Sequence, residues 1–107
     1  MIVAFSVAPS GMAGDSVHDA VAAAVKVVRE SGLPNRTSSM FTEVEGDWDE
    51  VMDVVKRATE AVGKYGPRVS LVLKADIRPG HESELTGKVE RLERALEGAG
   101  VRLDEEA

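Results

Sequence analysis

Seven consecutive residues near the N-terminus, Ile2-Val3-Ala4-Phe5-Ser6-Val7-Ala8, are small or apolar at every position. Read as a strand closed by Pro9, they put Val3, Phe5 and Val7 on one side and Ile2, Ala4, Ser6 and Ala8 on the other. A strand with two such sides belongs inside a sheet and needs cover over each face. That requirement restricts the remaining elements more than any other stretch of the chain. Something must pack above this strand, and something must shelter it below.

The segments that follow supply the cover. Val17, Ala20, Val21, Ala24, Val25 and Val28 recur at helical spacing and predict one buried stripe, with Ser16 or Asp15 as cap and Gly32 as stop near Ser31. Leu33 to Thr37 reads as a brief strand, and Ser38-Ser39 as a turn. Phe41 to Glu45 then reads as a short strand, with Met40, Thr42 and Val44 alternating against Phe41, Glu43 and Glu45. Asp47 and Glu50 are spaced as an N-cap and its capping-box partner ahead of Val51, Val54, Val55, Ala58 and Val62. This second helix is expected from Trp48 to about Tyr65, stopped by Gly66-Pro67, with Asp53–Arg57 and Glu60–Lys64 pairs on its wet side.

Arg68 to Ile77 alternates cleanly: Val69, Leu71, Leu73, Ala75 and Ile77 against Ser70, Val72, Lys74 and Asp76. After Pro79-Gly80 a third helix opens at Glu82 or Ser83 and runs to about Gly98. Its stripe is Leu85, Val89, Leu92, Leu96 and Ala99, with Glu84–Lys88 and Glu90–Arg94 pairs opposite. The acidic tail from about residue 100 is expected to fray.

The order strand, helix, short strand, strand, helix, strand predicts an α+β, ferredoxin-like βαββαβ sandwich with an extra C-terminal helix. With 107 residues the chain is read as one domain, residues 1–107. The first and last strands are expected at the centre of the sheet, with two helices on one face. The opposite face, carrying Ile2, Ala4, Ala8 and Val72, is then too apolar for water. A second copy is expected to cover it, giving a homo-dimer or tetramer.

Composition narrows the function classes. Aromatic residues make up only 4% of the chain, so the core must be aliphatic. There is no cysteine, which removes disulfides, thiolate metal sites and a catalytic thiol. His18 and His81 each stand alone, so no metal site is expected. A formal charge of −6 at pH 7 argues against a phosphate-backbone partner, hence no nucleic acid. No apolar run approaches a membrane span and no secretory leader is evident, so a cytoplasmic location is expected. The glycine loop Pro9 to Ser16 lacks the lysine and spacing of a phosphate-binding loop and reads as a turn.

The candidate chemistry lies around Ser38 to Asp47. Thr42 and Glu45 offer a hydroxyl and a carboxylate near a strand exit; the plainer reading is that such residues cap and solvate element ends. Lys74 and Asp76, two apart on one strand, face the same side of the sheet. They either form a solvated charged face or line a pocket or interface with Ser6 and Glu45.

Several ordered segments resemble one family: Ile2 to Pro9 with Gly11, Ser31-Gly32-Leu33, Met40 to Gly46, Asp49 to Lys56, Lys74 to Arg78, and Lys88-Val89. Together they resemble the thiamine-binding protein family, the MTH1187/YkoF-like group once catalogued as UPF0045, over roughly Met1 to Leu96. The resemblance implies a ferredoxin-like fold assembled as dimers or tetramers through its sheets. It further implies a non-catalytic carrier or sensor for thiamine or its hydroxymethylpyrimidine part, with no cofactor beyond that ligand. Thr42 and Glu45 match the family's Thr-x-x-Glu-Gly pattern and are the leading site residues, followed by Ser39, Lys74 and Asp76, then Ser6.

Two other readings stay open beside it. One is an oligomerising regulatory module without a thiamine-like ligand. The other is an enzyme on the same fold. Against the enzyme, Ser10 to Asp15 holds no arginine for an acylphosphatase-like loop, and neither histidine sits in a strand as ferredoxin-like oxygenases require.

Overall fold

A computed structural model describes residues 1–11, 17–80 and 83–99. Its elements run β1 (Ile2–Ser10), α1 (Val17–Glu30), β2 (Asn35–Thr37), β3 (Thr42–Glu45), α2 (Trp48–Val62), β4 (Arg68–Asp76) and α3 (Glu84–Gly98). The four strands form one antiparallel sheet in the order β2-β3-β1-β4. This is the expected ferredoxin-like sandwich with an added C-terminal helix. The caps expected at Asp15 or Ser16, the loop from Met12 onward, His81, Glu82 and the tail from residue 100 lie outside the described residues.

One placement differs from expectation. β1 and β3 are central, whereas β4 pairs with β1 alone and forms an edge. Its alternation resembles that of a central strand because one face meets the core while Val72 stands exposed on the other. Nor does Pro9 close β1, which continues to Ser10 opposite Arg68 of β4. β3 pairs with β1 only from Ile2 to Phe5. Beyond that point β1 has a single neighbour, and a residue without an N–H is tolerated there.

The core forms between the sheet and the paired helices α1 and α2. Val3, Phe5, Val7 and Val44 project from the sheet, and Val51, Val54, Val55, Ala58 and Val62 come down from α2. α1 contributes Ala20, Ala24 and Val28. Its buried stripe is narrower than the spacing implies, since Val17 and Val21 are exposed and Val25 is only half-buried. Alanines face α2 and let the helix axes approach, which turns the valines toward the flank. α1 ends as expected, with Gly32 in the left-handed region at φ +80°.

Both ends of α2 follow local rules. Glu50 Oε1 accepts from the Asp47 N–H at 3.4 Å, the return half of the expected box. The helix stops at Val62, three residues short of Tyr65, with Gly63 N–H closing on Thr59 O. The Asp53–Arg57 pair forms at 2.9 Å.

α3 lies on the other side of the sheet from α1 and α2, and only its first turn is buried. Among the described residues, its ions pair differently from expectation. Lys88 bridges to Asp76 of β4, and Arg91 bonds Glu84 at 2.6 Å. No helix among the described residues is long and apolar enough to cross a membrane.

Candidate functional site

The sheet register separates the expected site residues into three places. Phe5 pairs with Thr42 and Val3 with Val44, so Thr42 faces the helices. Ile2 pairs with Glu45 and Ala4 with Glu43, so Glu45 faces the opposite side. Thr42 and Glu45 therefore do not form one constellation. Three residues apart on a strand, they must point to opposite faces.

The first place is a cleft of about 170 Å³ on the helix side. It exists because β3 is shorter than β1. Past Phe5 no strand adjoins β1 on that flank, and the gap is roofed by α1 and closed by the β2–β3 connection. Ser39 and Thr42 meet there and Ser6 borders it, with Phe5 and Phe41 as aromatic walls and Val21 and Val25 above. Thr42 is 9% exposed, at the cleft floor. Ser38 holds the connection in shape: its N–H donates to Phe41 O at 2.9 Å, and its hydroxyl both donates to that oxygen and accepts from Phe41 N–H. Among the described residues, no hydrogen bond engages the hydroxyls of Ser6, Ser39 or Thr42, and no charged side chain lines the cleft. Hydroxyls donate and accept, so the cleft suits a flat polar ring carrying both kinds of group.

Glu45 occupies the second place, and its carboxylate is committed. It is 6% exposed, with Oε2 accepting the Glu84 N–H at 2.7 Å and Oε1 the Leu85 N–H at 3.3 Å. These are the first amides of α3, where an anion is favoured by both hydrogen bonding and the helix dipole. Ser83, expected to open this helix, sits at φ +56° and makes no side-chain cap. A carboxylate from β3 does that work instead.

Lys74 and Asp76 form the third place. As expected they share the outer face, opposite Ala4 and Ile2, and line a shallow recess with Glu43 and Lys88. The Lys88 ammonium bonded to Asp76 holds that carboxyl below its ordinary range, with Arg78 and Lys74 adding to the effect. Ser6 shares this outer-face register opposite Val72, yet it also borders the helix-side cleft at the point where β3 ends.

Sequence reasoning missed Thr37, Val21 and Val25 as cleft residues and Glu45 as a helix cap. A signal for the valines was present: six apolar positions on α1 are more than a close helix–helix contact through alanines can bury. For Glu45 the signal was three-dimensional only.

Comparison with known proteins places the chain among its relatives. The family model for thiamine-binding protein matches residues 3–93. A UPF0045 protein of Mycobacterium bovis is 55% identical over 97 residues, covering 90% of this chain and 94% of its own. Protein MJ1052 of Methanocaldococcus jannaschii superposes with a TM-score of 0.76 at 31% identity, over 85% of this chain and 93% of its own. A Thermotoga maritima protein whose proposed role is thiamine biosynthesis or salvage superposes with a TM-score of 0.71 at 26% identity, over 85% and 96%. The chain belongs to the thiamine-binding protein family.

Proposed function

We propose that this protein binds thiamine or its hydroxymethylpyrimidine moiety without transforming it, as a cytoplasmic carrier or sensor. The helix-side cleft carries the reading: the unengaged hydroxyls of Ser39 and Thr42 line it together with Phe5 and Phe41, and Ser6 borders it. An aminopyrimidine offers an amino donor and ring-nitrogen acceptors, which hydroxyls read in either sense. At about 170 Å³ the cleft is smaller than the ~300 Å³ at which sites for drug-sized ligands begin, which suits one ring rather than a whole vitamin. The cationic thiazolium then lies outside, next to a chain of net charge −6. Glu45, Lys74 and Asp76 are assigned to α3 and the outer face rather than to the ligand. The outer sheet face, where Val72 is 57% exposed, is sheltered by a second copy in a homo-dimer or tetramer.

Calorimetry with thiamine, its phosphates and the free pyrimidine tests the site. Thr42→Val removes a hydroxyl at nearly constant volume and is expected to weaken binding of the pyrimidine roughly fivefold, about 1 kcal/mol for one neutral hydrogen bond. Equal affinity in wild type and variant sinks the cleft assignment. No binding of any of these compounds favours the regulatory module, which rests on the same uncovered outer face.

A further inference from the structure

Helix α3 leaves the body after one turn. Leu85 is buried, Leu92 is 54% exposed, Val89 is exposed and Leu96 half-buried. The apolar positions Leu85, Val89, Leu92, Leu96 and Ala99 are separated by four, three, four and three residues. That is a period of 3.5, the narrow seam of a coiled coil, and not the broader stripe of a helix lying on a globular core. The stripe begins on the molecule's own body and continues past it. Among the described residues nothing covers Leu92.

The seam specifies its partner. In heptad positions Leu85 and Leu92 are d, and Val89 and Leu96 are a. β-branched Val89 at one of the two a positions, with leucine at both d positions, suits two parallel strands. The flanking charges point the same way. Lys88 falls at g and Glu93 at the e position five residues on, and those two positions face each other across a parallel, in-register pair. An antiparallel pair would instead set g against g and e against e. Lys88 would then meet Ala95 or a second lysine, and Glu93 would meet Thr86 or a second glutamate, with no opposite charges opposed.

We infer that α3 pairs in parallel with α3 of a second copy of this chain, through Val89, Leu92 and Leu96, with Lys88 facing Glu93 of the partner subunit. The two-fold axis runs along the seam, so each contact occurs twice. Lys88 also holds Asp76, and an ammonium with three donors serves both carboxylates. A seam this short is marginal in a free peptide. Here Glu45 and Asp76 already fix the start of each helix, so less ordering is lost on pairing. The contact is independent of the ligand reading and uses a different surface from the outer sheet face.

The chain has no cysteine, which makes the test direct. Leu92→Cys under mild oxidation is expected to give a disulfide-linked dimer, because d positions meet across a parallel seam. Arg94→Cys, at the outward f position, is expected to stay unlinked. In sedimentation equilibrium Leu92→Glu is expected to weaken association at least about tenfold. Glu93→Lys is expected to weaken it as well, and combining it with Lys88→Glu to restore it. Absence of the Leu92→Cys link, equal linking at both positions, or association unchanged by Leu92→Glu overturns the proposal.

Discussion

Glu45 shows how one side chain can hold a whole element in place. Its two oxygens take the first amides of α3, from a strand 39 residues earlier in the chain. Glu45→Ala is expected to cost about 2 kcal/mol of α3 docking, the usual range for a lost charge-assisted cap, and Glu45→Gln roughly half of that. Amide hydrogen exchange at Glu84 and Leu85 checks it, and pyrimidine affinity at the cleft is expected to hold. Asp76 adds a dependence on pH. Because Lys88 depresses its pKa, the bridge contributes fully above the ordinary carboxylate range and is lost as pH falls through the lowered value. Protection of α3 should therefore decline on acidification more steeply in wild type than in Asp76→Asn. Other carboxylates titrate in the same window, so the difference between the two proteins is the quantity to read.

At the scale of elements, burial decides which apolar residues stabilise the fold and which only line the cleft. Val51 in α2 is fully buried, and Val51→Ala is expected to lower stability by about 2 kcal/mol in denaturant unfolding. Val21 in α1 is 40% exposed at the cleft; Val21→Ala is expected to cost under about 0.5 kcal/mol, as surface changes do, while altering ligand affinity. The spacing of apolar residues reveals both positions as helical but does not separate them, because neighbours decide which side a crowded stripe turns inward. For the same reason strands and helices were legible from alternation and period, including the apolar outer face of β1. The strand order was not. Whether β4 sits inside or at the edge depends on which strands pair, and its residues satisfy either place. Thr42 and Glu45 illustrate the complementary case: an odd separation of three residues along one strand is by itself enough to put them on opposite faces.

The molecule measures 50 × 33 × 20 Å, long for a sandwich of this size because α3 projects from it. Among the described residues the outer sheet face and the α3 seam are both uncovered, and a two-fold contact at each would build a tetramer from dimers. The manner of attachment of α3 also sets an order of events. Its anchor on β3 is finished before α3 is synthesised, yet α3 gives back little buried surface beyond Leu85. The C-terminal helix is therefore the last part to close and the first to open, a sub-global unit weaker than the rest. In the Leu92→Glu variant, brief protease treatment should clip α3 away while the remaining βαββαβ unit resists digestion and keeps its melting temperature.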